Sequence, residues 1–188
     1  MKTLEGKRVA ILTENGFEEV ELTSPKQALE EAGAEVDIVS PQKNTVRAWE
    51  HDHWSIELPV DVTIDEADPE EYDALVVPGG VMNPDKMRIN EKCVEFAQHF
   101  FQAGKPIASI CHGPQLLIET GMLRGRNMTS YPSVKTDLQN AGVNWMDKEV
   151  VTDNGLVTSR SPEDLKAFNR KMIEEIKEGK HSPAPAHQ

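Results

Sequence analysis

Short apolar runs alternate with amphipathic stretches along most of this chain. Residues 8–12, 35–40, 74–77 and 107–110 are each too short for a helix. The runs at 74–77 and 107–110 are near-continuously apolar, the pattern of strands buried on both faces of a parallel sheet. Between the runs lie helical stretches. Ser24, Pro25 and Gln27 have the spacing of a capping box with proline at the first helical position, and Gly33 closes that helix. A helix opens at Asn83 and Pro84, restarts near Asn90 and runs to Ala103 before Gly104. Further helices are expected over 115–119, 133–141 and 162–178, the last behind a second capping box, Ser161 to Asp164. Residues 44–59 alternate in character and predict a β-hairpin or edge insertion carrying Trp49, His51, His53 and Trp54. Strands are also expected over 60–64, 127–131 and 143–145. A tight hairpin should fold 150–153 against 156–159 around Asn154 and Gly155. Residues 13–22 predict a polar loop and 66–71 an acidic connector. Strands alternating with helices give an α/β, doubly wound fold with right-handed crossovers. The expected organisation is one domain over 1–178 and a disordered tail over 179–188.

Composition narrows the function. The chain has 188 residues and a formal net charge of −12. That charge argues against nucleic acid and anionic membranes as partners, because both need a basic face. No run approaches the length of a membrane span, and the first residues lack the apolar core of a secretory signal. Two cysteines do not make a disulfide framework, so a reducing cytoplasm is the expected setting.

The chemistry concentrates at one turn. The run 107–110 ends at Cys111, His112, Gly113 and Pro114, and a helix follows. Cys111 therefore sits where a strand hands over to a helix. Ser109 and Gly113 are small, as a nucleophile elbow requires of the positions two before and two after its reactive residue. Helix N-terminal amides would favour a thiolate there. The bland alternative is a buried structural cysteine; the elbow context favours the reactive one. Cys93, spaced with Phe96, Ala97 and Phe100, reads as core packing.

His112 is a natural base for the sulfur and needs a partner to fix its tautomer. Asp85 can serve, or can merely favour the start of its own helix. His51, His53 and His99 are rival bases that nothing in the sequence places near the elbow. Glu18 or Glu19 could approach the sulfur, with a carboxyl pKa raised by desolvation, though a solvated acidic loop is the simpler account. Gly79 and Gly80, with the amide of His112, could form an oxyanion hole, the alternative being a plain turn. The Cys and His residues show no ligand spacing, so no metal is expected, and no cofactor motif is present.

Six blocks together resemble the DJ-1/PfpI superfamily, in its branch of intracellular protease-like and general stress proteins. They are Asn15-Gly-Phe-Glu-Glu-Val-Glu-Leu22, Tyr72-Asp-Ala-Leu-Val-Val-Pro-Gly-Gly80, Arg88-Ile-Asn-Glu91, Ile110-Cys-His-Gly-Pro-Gln115, Thr129-Ser-Tyr-Pro132 and Leu156-Val-Thr-Ser-Arg-Ser-Pro-Glu-Asp-Leu165. The resemblance implies a flavodoxin-like, class I glutamine amidotransferase-like fold, with a mostly parallel sheet covered by helices on both faces. It implies Cys111 as nucleophile, His112 beside it and Glu18, rather than Glu19, as the acid touching the sulfur. It places Asp85 as the acid completing a Cys-His-acid triad across a subunit interface, where many relatives carry Glu. A homo-oligomer, dimer or larger, is then required for activity. The implied activities are peptidase, cofactor-independent glyoxalase and deglycase, acting on a small carbonyl or peptide-like substrate in a stress response. A non-catalytic redox sensor or chaperone using an oxidisable Cys111 is the rival, and an interface built on the Trp49 to Trp54 insertion a third reading.

Overall fold

In the computed structural model, which describes residues 2–182, the chain begins with β1 (Arg8–Leu12), the short β2 (Phe17–Glu18), α1 (Glu19–Glu31) and β3 (Glu35–Ser40). A hairpin of β4 (Thr45–Glu50) and β5 (His53–Pro59) precedes β6 (Val62–Thr63) and β7 (Ala74–Val77). Next come α2 (Met82–Met87), α3 (Glu91–Gln102), β8 (Ile107–Ile110) and α4 (Pro114–Ile118). The chain continues through β9 (Asn127–Met128), α5 (Lys135–Asn140), β10 (Asn144–Trp145), β11 (Val151–Asp153), β12 (Leu156–Ser159) and α6 (Leu165–Glu178).

The central sheet has the order β11-β12-β8-β7-β1-β3-β6. All its pairings are parallel except β11 with β12, which turn back through Asn154 and Gly155. Alternation along β1 explains the two layers of helix. Ala10 and Leu12 face a core with Phe96 and Phe100 of α3 and Leu116 of α4, whereas Val9 and Ile11 face Leu22 and Leu29 of α1 and Phe168 and Met172 of α6. The fold is thus the predicted α/β sandwich. The predicted hairpin forms as β4 and β5, and β2 joins it parallel to β4 in a separate three-stranded sheet.

Three expectations fail locally. The first helix begins at Glu19, not Ser24, and Pro25 lies inside it. Burying Leu22, Pro25 and Leu29 on one face outweighs the single backbone bond that proline forgoes. Ser161 makes no side-chain cap ahead of α6. Asp164 instead accepts from the Arg160 backbone N–H at 2.9 Å and from its guanidinium at 2.9 and 3.0 Å, a charge-assisted arrangement stronger than a neutral cap. Of the tail, residues 179–182 dock on the molecule: the His181 N–H donates to Gly104 O at 2.7 Å and Asn154 Nδ2 to Ser182 O at 3.0 Å. Residues 183–188 lie outside the described residues.

Candidate active site

In a parallel sheet the loops that follow adjacent strands open at one edge. Because β8, β7 and β1 are neighbours, the segments after Leu12, after Val77 and after Ile110 converge there. They line a cleft of about 790 Å³, walled by Trp49 and Trp54 on the hairpin side and by Tyr131 and Pro162 opposite. Trp49 and Trp54 pack edge to face, with ring centroids 5.3 Å apart.

Cys111 lies in this cleft, 7% exposed, with a φ of 62°. A non-glycine residue in the left-handed region marks a strained turn, and strain of this kind gathers at functional sites. Its backbone is fixed on both sides: its N–H donates to Ser159 O at 3.0 Å, and its carbonyl accepts from Tyr131 N–H at 2.9 Å. The small flanking residues are sterically required. A Cβ on Gly113 would collide with Ser109 Oγ and stand 2.6 Å from Val77 O. Ser109 Oγ already donates to that carbonyl at 3.1 Å.

The carboxyl beside the sulfur belongs to Glu21, not to Glu18 as expected. Glu21 is fully buried in the first turn of α1. A Cβ placed on Gly79 would stand 2.5 Å from Glu21 Oε1 and 2.8 Å from Cys111 Cβ, so both groups crowd the same glycine. Burial, with help from the Glu18 charge, pushes the Glu21 carboxyl up to about 8, against the pull of the Cys111 thiol and the Gly79 and Gly80 amides. Among the described residues neither carboxyl oxygen completes a hydrogen bond. Burial therefore wins, and Glu21 holds its proton at neutral pH.

Glu18 lines the cleft but turns to the hairpin, where its Oε1 accepts from the His51 N–H at 3.2 Å. The sequence signal for Glu21 lay in helical spacing. Once the helix starts at Glu19, Glu21, Pro25 and Leu29 recur every fourth residue on the buried face.

The expected resting thiolate is also not what the surroundings favour. Burial and the Glu21 charge push the Cys111 thiol well up, while the amides of Gly80 and His112 pull the other way. The helix that follows is only five residues long and cannot offset the loss of water. Two buried acids side by side titrate as a pair.

His112 Nδ1 lies 3.2 Å from Cys111 Sγ, and its Nε2 lies 3.2 Å from Ser133 Oγ. Its ring stacks on Tyr131 at 4.7 Å. Burial lowers its pKa, so the ring is neutral near pH 7. With Nδ1 accepting from the thiol, Nε2 carries the proton and donates to Ser133, a residue the sequence did not single out. Asp85 lies exposed in the first turn of α2, and among the described residues no hydrogen bond joins it to His112.

Gly80 is at the cleft and Gly79 beneath it, both within reach of the sulfur's surroundings. Of the rival histidines, His51 lines the cleft, His53 is exposed beside Asp52 at 2.8 Å, and His99 packs on Phe100. Cys93 is fully buried in α3 as expected, its thiol pushed up to about 12 by burial. The described side chains close enough to share a cation are Glu175, Glu178 and His181, away from the cleft. No helix of the described residues is long and apolar enough to cross a membrane.

Comparison with known proteins shows the family and the fold. A family model described as the DJ-1/PfpI family matches residues 7–175. Deglycase PH1704 of Pyrococcus horikoshii is 49% identical over 170 residues, covering 90% of this chain and 99% of the relative. Deglycase PfpI of Pyrococcus furiosus is 46% identical over 170 residues, with the same coverage. Among solved structures, a two-domain protein of Anabaena variabilis with DJ-1/ThiJ/PfpI-like and ferritin-like domains superposes with a TM-score of 0.85 at 39% identity. That match covers 90% of this chain and 48% of the other.

Proposed function

The chain belongs to the DJ-1/PfpI family, and from that membership and the geometry of the cleft we propose that it is a cysteine-dependent enzyme acting on reactive carbonyl compounds, of the cofactor-independent glyoxalase or deglycase kind. One observation carries the reading. Cys111 is held in a left-handed turn inside the cleft, with the neutral Glu21 carboxyl on one side and His112 Nδ1 at 3.2 Å on the other. The names of the 49% and 46% identical relatives, both deglycases, support it.

The reaction starts from the Cys111–Glu21 pair with one proton between them. The sulfur adds to the aldehyde carbon of a 2-oxoaldehyde, and Glu21 gives its proton to the oxygen that becomes a hydroxyl. The Gly80 and His112 amides face the developing charge, with Gly79 forming the rest of the turn. The Glu21 carboxylate then takes the hydrogen on the aldehyde carbon as a proton and returns it to the neighbouring carbon. His112 carries the hydroxyl proton across to the second oxygen. The product is a 2-hydroxy thioester on Cys111, and water cleaves it to the 2-hydroxy acid and restores the thiol. No outside oxidant is needed, because one carbon is oxidised as its neighbour is reduced. For an aminocarbinol formed on an amine, the sulfur displaces the amine at the carbinol carbon, the C–N bond breaking as Glu21 gives its proton to the leaving nitrogen, and the same hemithioacetal results.

Asp85 has a place in this scheme only in an oligomer, where its exposed carboxylate would meet His112 of a second chain. The test is lactate formation from methylglyoxal by wild type, Cys111→Ser and Asp85→Asn, with sedimentation velocity on each. Loss of turnover in Cys111→Ser at unchanged fold supports the proposal, and retained turnover refutes it. An Asp85→Asn variant that stays oligomeric with full activity removes Asp85 from the site.

A further inference from the structure

Asn83 is fully buried, and its primary amide is fully used. Nδ2 donates to Pro78 O at 2.9 Å and Gly79 O at 3.1 Å. Oδ1 accepts from the Glu14 N–H at 2.7 Å and from Thr13 Oγ1 at 3.2 Å. Two donors and two acceptor positions are all an asparagine side chain has. These bonds join the loop after β1 to the loop after β7, which sheet pairing alone does not connect beyond Ile11 and Val76.

The position of the second loop matters to the sulfur. Gly79 packs against both Glu21 Oε1 and Cys111 Cβ with no room for a side chain. Gly80 has a φ of 81°, and a Cβ there would stand 2.5 Å from Gly16 O and 2.7 Å from the Glu18 nitrogen. So the Gly79–Gly80 turn touches the cysteine on one side and the first loop on the other. A small displacement of it changes what faces the sulfur.

We propose that Asn83 is a positioning residue, whose amide clamps the loop after β1 to the Gly79–Gly80 turn and thereby holds the Gly80 N–H and the Glu21 carboxyl in place against Cys111. This rests on Cys111 being the reacting atom, but not on which carbonyl it attacks. A purely structural asparagine would contribute to stability and leave the ionisation of the sulfur alone.

The experiment is the pH dependence of Cys111 alkylation by iodoacetamide, read by peptide mass spectrometry, in wild type, Asn83→Asp, Asn83→Ala and Met172→Ala. Met172 is a buried residue of α6, in the core on the opposite side of the sheet from α3, so it controls for lost stability. Losing one hydrogen bond to a charged group slows alkylation about tenfold at fixed pH. The expected result is that slowing in both Asn83 variants, with the profile displaced to higher pH, and an unmoved profile in Met172→Ala. Profiles that coincide with wild type, or that move equally in the Met172 control, overturn the proposal. Should neither Asn83 variant fold, Thr13→Val decides. It removes the hydroxyl's 3.2 Å bond to Asn83 Oδ1 and its 3.3 Å contact with Glu14 O within the same loop, and leaves the other three bonds of the Asn83 amide in place; a smaller shift the same way supports the clamp, and none refutes it. Because alkylation reports the sulfur without turnover, a displaced profile in a protein that leaves methylglyoxal untouched keeps the clamp and discards the proposed reaction.

Discussion

Replacing Glu21 by glutamine should change how stability depends on pH, and in one direction only. Its carboxyl has an ordinary value of 4.5 and is raised to about 8 in the folded chain. The folded state therefore binds a proton that the unfolded state has released between those two values. Below pH 4.5 both states are protonated and the residue is neutral with respect to pH. As pH rises from there to about 8, the unfolded state is increasingly favoured, by about 1.4 kcal/mol per pH unit. Over the window given by the raised carboxyl, the destabilisation reaches ~5 kcal/mol. Glutamine keeps the shape but never ionises, so Glu21→Gln loses this dependence. Urea unfolding of both proteins in reducing buffer from pH 5 to pH 9 measures it. The stability difference between variant and wild type should grow steadily in favour of the variant up to about pH 8 and then level. The slope is diagnostic, because the intercept also contains the new amide's contacts with the sulfur. A difference flat across this range would mean Glu21 is ionised in the fold, and a carboxyl raised by burial beside Cys111 would be lost as an explanation.

Three other substitutions follow from the same geometry. Gly79→Ala puts a methyl 2.5 Å from Glu21 Oε1 and 2.7 Å from Ile110 O; it should cost about 2–4 kcal/mol in urea unfolding and abolish turnover. Ser133→Ala removes the partner of His112 Nε2 at 3.2 Å, and should lower kcat for methylglyoxal by about tenfold with little change in melting temperature. An unchanged kcat would show that the ring is oriented by Tyr131 or a second chain alone. Cys93→Ala should cost about 1–2 kcal/mol through lost packing and leave the alkylation profile of Cys111 where it is in wild type.

What could be read from the sequence was what short-range patterning encodes. The four-residue apolar runs of β7 and β8 and the Asn154–Gly155 turn were all evident. So was the elbow, because Ser109 and Gly113 are small for a steric reason that survives in the fold. Ser24 and Pro25 misled, since local capping chemistry competes with burial of a helix face and loses here. That misplaced start hid Glu21 in a supposed loop, and the choice of Glu18 rested on the family resemblance. Ser133 and Asn83 gave no local signal. Ser133 reaches His112 across 21 positions, and Asn83 reaches Glu14 across 69. Such contacts exist only once the sheet order is set.

The most direct measurement is kcat/KM for methylglyoxal against pH, for wild type beside Cys111→Ser. With Glu21 raised to about 8, the one-proton form of the pair accumulates as pH climbs toward that value. The wild-type profile should rise through pH 8, with the serine variant at background throughout. A flat wild-type profile between pH 6 and pH 9, or serine turning over at the wild-type rate, would contradict a sulfur armed by its buried carboxyl neighbour.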